Sequence, residues 1–136
     1  MQMLRGLAVV ACVVLCGAAQ VLGMSGVARA DWLGDAYAAH ARGDYQTEIS
    51  IIEPKAEQGV PVAQYYMGVT YAIGIGVAQD YVKAHMWYNV AAIDGSSQIA
   101  ALHRDDIAKK MTPAHIARAQ ELASQCVAQK FKNCGK

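Results

Sequence analysis

The chain has 136 residues, is 54% hydrophobic and 17% charged, and carries a formal net charge of +1. That near-neutral balance excludes a nucleic-acid or anionic-membrane binder working by bulk electrostatics, and the apolar fraction excludes an intrinsically disordered chain. The length is that of one domain.

Residues 1–30 hold 21 hydrophobic residues and two charges, Arg5 and Arg29. They read as a signal peptide: a short basic start at Arg5, an apolar run from Leu7, and Ala28-Arg29-Ala30 placing cleavage between Ala30 and Asp31. Gly17 and Gln20 interrupt the run, whereas a membrane span needs about 20 apolar residues. The expected location is therefore periplasmic or secreted, with no stable membrane insertion after cleavage. An uncleaved anchor, or lipidation at Cys12 after Val9-Val10-Ala11, are the alternatives. Residues 31–136 keep ten of the twelve basic residues and all eleven acidic ones, a net charge of −1. Half of them are apolar, near the roughly 45–50% of ordinary globular chains.

The mature part repeats at an offset of 36 residues: Asp44-Tyr45 matches Asp80-Tyr81, Ala56 matches Ala92, and Gly59 matches Gly95. Such a period predicts stacked helical hairpins. Asp44 and Asp80 are N-cap candidates for helices that close at Gly59 and Gly95, with a kink or break expected at Pro54. Pro61 suits the first turn of a helix carrying Ala63, Met67, Thr70 and Tyr71 at helical spacing. Tyr81, Ala84, Trp87, Tyr88 and Ala91 recur likewise in its partner. Ser96 or Ser97 can cap a helix with Ile99, Leu102 and Ile107. Thr112-Pro113 then opens one with Ile116, Ala119, Leu122, Ala123 and Cys126 on one face. No alternating strand pattern occurs, so the predicted fold is all-α, a short α-solenoid of about three antiparallel helical hairpins. Residues 31–59 form a partial repeat, 61–96 a clear one, and 97–136 capping helices and a tail. Cys126 and Cys134 are an even pair in a chain bound for an oxidising space and predict a structural disulfide.

The stretch Ala63 to Tyr71, followed by Gly74-Ile75-Gly76-Val77, Asp80-Tyr81, Lys83-Ala84, Trp87-Tyr88 and Ala91-Ala92, closely resembles one unit of the Sel-one-like repeat family of tetratricopeptide-like solenoids. The signature residues are Ala63, Gly68, Tyr71, Gly74, Gly76, Asp80, Ala84, Trp87, Tyr88, Ala91, Ala92 and Gly95. Met67 stands where the family usually has leucine, and Ala36 to Gly59 lacks the Gly-x-Gly-Val loop. The tail from Met111 to Ala117 is similar to short exported bacterial members. The resemblance implies a non-catalytic binding scaffold without a cofactor.

Other motifs are weaker. Gly74-Ile75-Gly76 lacks a third glycine and follows a helix, so it reads as a turn rather than a phosphate cradle, with Val77 plugging it into the core. His40, His85, His103 and His115 fall on different predicted helices without metal-ligand spacing. Lys130, Lys132 and Lys136 read as a solvated tail. The expected function is protein or peptide binding on a surface lined by the first helix of each hairpin. On tetratricopeptide groove positions, that surface takes Val62, Tyr65, Val69 and Ala72 from the clear repeat. Leu33 and Ala36 precede them, and Gln98, Ala101 and Asp105 follow. Tyr65 is the expected anchor. The alternatives are a small periplasmic hydrolase or binder of β-lactam or cell-wall ligands, and a purely structural protein, monomeric or weakly homodimeric.

Overall fold

A computed structural model describes residues 31–136 of the chain. The expected targeting segment, residues 1–30 with the expected cleavage after Ala30 and the alternative lipidation at Cys12, lies outside the described residues. The described part is all-helical: α1 (Asp31–Ala41), α2 (Tyr45–Ala56), α3 (Pro61–Ile73), α4 (Tyr81–Ala91), α5 (Gln98–Ala108) and α6 (Pro113–Ala128), with a 3-10 turn Ile93–Gly95 between α4 and α5. Among the described residues, no helix is long and apolar enough to cross a membrane.

Helix starts follow local side-chain chemistry. Backbone N–H groups that lack an intrahelical partner are taken up by the preceding residue's oxygen. Asp44 accepts from the Thr47 N–H at 3.2 Å and Asp80 from the Lys83 N–H at 3.0 Å. Ser97, rather than Ser96, accepts from the Ala100 N–H at 3.3 Å, and Thr112 from the His115 N–H at 3.2 Å. The break expected at Pro54 does not form, and α2 runs through it to Ala56. Pro54 is exposed and within a turn of the helix end, so the lost N–H removes only one late hydrogen bond. Helix α4 does not reach Gly95. It ends at Ala91, and Asp94 (φ 54°) and Gly95 (φ 74°) turn the chain in the left-handed region.

Helix α4 is the centre of the fold. Helices α3, α5 and α6 all pack on it, and α5 and α6 approach it more closely than each other. Its buried residues Ala84, His85, Met86, Trp87, Tyr88, Val90 and Ala91 accordingly cover nearly its whole circumference. One core cluster joins Ile52 and Ala56 of α2, Ala63 and Met67 of α3, Met86, Trp87 and Val90 of α4, and Ala123 and Cys126 of α6. A second joins Ala84, Tyr88 and Ala91 to Ala100 and Ile107 of α5. Ile99 and Leu102 face outward, 52% and 65% exposed. Alanine at Ala100 and Ala84 brings the α4 and α5 backbones together, and the bulk of Ile107 fills the end of the contact.

The loop Gly74–Asp80 is fixed by backbone geometry rather than by Val77, which is half-buried and in neither core cluster. Gly74 has φ 77°, and a Cβ there would lie 2.9 Å from the Gln79 backbone nitrogen. Only glycine satisfies both constraints. Gly76 sits directly on Tyr45 and Ile49, and its carbonyl accepts from the Gln46 Nε2 at 2.7 Å. The Asp80 N–H donates to the Tyr71 carbonyl at 2.9 Å, closing the loop. Cys126 and Cys134 form a disulfide with a Cα–Cα separation of 4.8 Å.

Candidate functional site

An open cleft of about 330 Å³ lies between α3, the start and middle of α4, and α5. Tyr65, Val69, Ala72 and Ile73 form one wall, Tyr81 and Tyr88 the floor, and His103, Asp106, Ile107 and Lys110 the other wall. Spacing explains the lining. Residues 65, 69, 72 and 73 share one face of α3, and residues 103, 106, 107 and 110 one face of α5.

Aromatic groups give the cleft its shape. The Tyr65 and Tyr88 ring centroids are 5.8 Å apart, and the His103 ring meets both, at 5.5 Å edge-on to Tyr65 and 5.6 Å tilted to Tyr88. Tyr65 also meets Tyr66 at 5.4 Å, and Tyr66 meets Tyr37 edge-to-face at 5.9 Å, their hydroxyls hydrogen-bonded to each other. A line of aromatic rings therefore runs from α1 into the cleft, in the offset and edge geometries that ring quadrupoles favour. Burial, helped by Tyr65, pushes the Tyr88 hydroxyl up to about 12. Burial first, then Tyr37, raises Tyr65 as well. Both phenols thus stay protonated donors at neutral pH, and neither donates to another described residue.

Tyr88 reaches the cleft because Gly68 lets it pass. A Cβ on Gly68 would come within 2.5 Å of the Tyr88 ring, although Gly68 lies in mid-helix where alanine is ordinarily favoured by about 1 kcal/mol. Gly68→Ala is therefore expected to destabilise, because forcing a methyl into packed space costs about 1–3 kcal/mol and overrides that helix preference. Comparing its thermal unfolding with that of Gly34→Ala, where a Cβ would meet nothing, checks this. A Gly68→Ala protein as stable as the parent would refute the close contact.

Of the expected groove residues, Tyr65, Val69 and Ala72 do line the cleft, whereas Val62 is exposed outside the lining. Ala36 is buried in the core, Leu33 and Ala101 are half-buried, and none of the three lines the cleft. Gln98 and Asp105 lie outside it as well, and α5 presents His103, Asp106, Ile107 and Lys110 instead. Helix α5 starts 37 residues after α3, at Gln98 against Pro61, one residue more than the repeat. It also faces α3 across the cleft, so the residues it presents are those of its opposing face rather than the repeat-equivalent ones. Of the signature residues, Ala63, Gly68, Ala84, Trp87, Tyr88 and Ala91 are buried, and Tyr71 and Ala92 half-buried.

Beside the cleft, on the α4–α5 contact, His85 is 3% exposed and its Nδ1 has no hydrogen-bond partner among the described residues. Burial holds its imidazole below the usual histidine value, and Arg104 adds to this, while Asp105 partly opposes both. Arg104 is itself tied to Asn89 Oδ1 at 3.2 Å and to Asp105 at 2.8 Å. The unfolded chain protonates this histidine at about pH 6.5, and the folded one resists. Below that pH the unfolded state binds the extra proton, so stability contributed by neutral His85 is lost as pH falls from about 6.5 toward the lower folded value. The melting temperature is expected to fall between pH 7.5 and 5.5, and less so for His85→Gln. An identical fall in both would assign the effect elsewhere.

Among the described residues, no three His, Cys, Asp or Glu side chains come together as a metal site. The site is thus an aromatic, donor-bearing cleft on an all-helical domain. Comparison of the chain with protein-family models, curated proteins and solved structures finds no match.

Proposed function

We propose that residues 31–136 are an exported, non-catalytic binding module, a short member of the Sel-one-like repeat family, whose cleft between α3, α4 and α5 holds a segment of a protein or peptide partner. The observation that carries this reading is the cleft's floor and walls. Tyr65, Tyr81 and Tyr88 offer aromatic surface, and the Tyr65 and Tyr88 hydroxyls have donors to spare. Aromatic side chains dominate interface energies because they bury much area at little conformational cost and keep a polar end. The export reading is supported by the sequence of residues 1–30 and by the disulfide, a bond that persists in oxidising compartments.

Crosslinking and co-purification of the native exported protein test it. A specific partner is expected, and Tyr65→Ala should weaken its capture about tenfold while leaving the helical circular-dichroism signal in place. Undiminished capture of every specific partner by a folded Tyr65→Ala protein would overturn the site.

A further inference from the structure

The charges around the cleft are distributed unevenly. Helix α3 has no charged residue from Pro61 to Ile73. On α5, both acidic side chains are already engaged: Asp105 by Arg104 at 2.8 Å, and Asp106 by Lys109 Nζ at 2.7 Å. Lys110 alone of the cleft's charged groups makes no ion pair among the described residues, although Asp106, one turn earlier, feels its charge. Its ammonium lies over the Tyr81 ring, 5.9 Å from the centroid. With the Tyr65 and Tyr88 hydroxyls, the groups left without a protein partner can all donate, and the one charge outside an ion pair is positive. Such a lining favours an occupant that is apolar or aromatic at one end and anionic at the other.

Spacing along α5 fixes the separation. His103, at the aromatic end, and Lys110 are seven residues apart, about 10 Å at 1.5 Å per residue. An extended peptide covers that distance in about three residues. We propose that the cleft recognises an extended peptide carrying an aromatic side chain and a carboxylate three residues apart, the ring against Tyr65, Tyr88 and His103 and the carboxylate at Lys110. This rests on the peptide-binding reading above. A carboxylate placed closer to the ring falls beside Asp106 instead, which sets the register by repulsion.

Acetylated and amidated octapeptides AAFAAEAA and AAEAAFAA, titrated into the isotope-labelled exported protein and followed by amide NMR shifts, provide the test. At least one order is expected to shift Tyr65, Val69, His103 and Lys110 saturably. Replacing the peptide's Phe by Ala should abolish the shifts, and replacing its Glu by Gln should weaken binding about threefold, the effect of a partly exposed ion pair. Lys110→Met, at an exposed position, should make the Glu and Gln peptides equivalent. Equal affinity of the two peptides for the parent protein would overturn this inference while leaving peptide binding intact. Absence of cleft shifts with both orders would overturn it also, and the crosslinking result with Tyr65→Ala then decides the broader reading separately.

Discussion

Replacing Trp87 with alanine is expected to destabilise the protein by about 3–5 kcal/mol, the range for emptying a buried aromatic site. Trp87 is 2% exposed and lies in the cluster that joins α2, α3, α4 and α6, among Ile52, Met67, Val90 and Ala123. A cavity there cannot be closed by moving one helix, because five helices, α1 with Ala36 included, share the cluster. Domains of this size hold a total of about 5–15 kcal/mol, so the variant should melt at least about 12 °C lower, or fail to accumulate folded. Trp87→Phe keeps most of the volume and should retain most of the stability. Thermal circular dichroism of both variants checks this, with Trp32 left as the fluorescence reporter. A Trp87→Ala protein melting within a few degrees of the parent would remove Trp87 from the core.

Opening the Cys126–Cys134 bond should have the next largest effect. Closing a loop of about nine residues contributes roughly 2–3 kcal/mol by restricting the unfolded chain. The segment it closes is also unfavourable by itself. Lys130, Phe131 and Asn133 have φ of 53°, 66° and 53°, left-handed values disfavoured for residues bearing a Cβ. What holds them is contact with α2 and the turn after it. The Phe131 ring rests on Gly59, the Asn133 N–H reaches Glu57 Oε1 at 3.4 Å, and Lys136 lies 3.6 Å from Glu53. Reduction, or the double substitution Cys126→Ala with Cys134→Ala, should lower the melting temperature by about 10–20 °C. It should also speed amide exchange over residues 129–136 first. Thiol titration of the native protein should find no reactive thiol before reduction; two free thiols there would remove the bond from the account.

Much of the helical plan was readable because it is written in short-range chemistry. Asp44, Asp80, Ser97 and Thr112 each cap the helix that follows, and Pro61 and Pro113 open theirs, all without reference to the rest of the molecule. The buried face of α6, Ala119, Ala123 and Cys126, followed from periodicity alone. The α5 wall of the cleft did not, because the face that α5 turns to α3 is set by its packing on α4 through Ala100 and Ile107, not by its position in the repeat. Of Ile99, Leu102 and Ile107, the apolar residues at helical spacing on α5, only Ile107 is buried, while close packing at Ala100 turns the other two outward. Pro54 does not break α2, since a proline near a helix end and on its exposed side removes only one late hydrogen bond. His103 and Lys110 carried no motif. Their place in the cleft follows from tertiary packing, and a look at the α5 face that holds Ile107 would have been the way to find them.

The tail after α6 bears on how such a chain could have evolved. In an open array of repeats each unit touches only its neighbours, so units can be added or lost by duplication and deletion. The contact of α6 with α4 joins neighbouring hairpins, but the tail after α6 also reaches back to the first one: the Phe131 ring rests on Gly59, and Lys136 lies 3.6 Å from Glu53. A further hairpin inserted after Gly95 would carry that tail away from α2 and leave Lys130, Phe131 and Asn133 without the contacts that hold them. The ancestry suggested by the matching Asp-Tyr pairs is modular, whereas the closed core is not. The contact of the tail with the first hairpin closes the stack against lengthening by a further unit at that point.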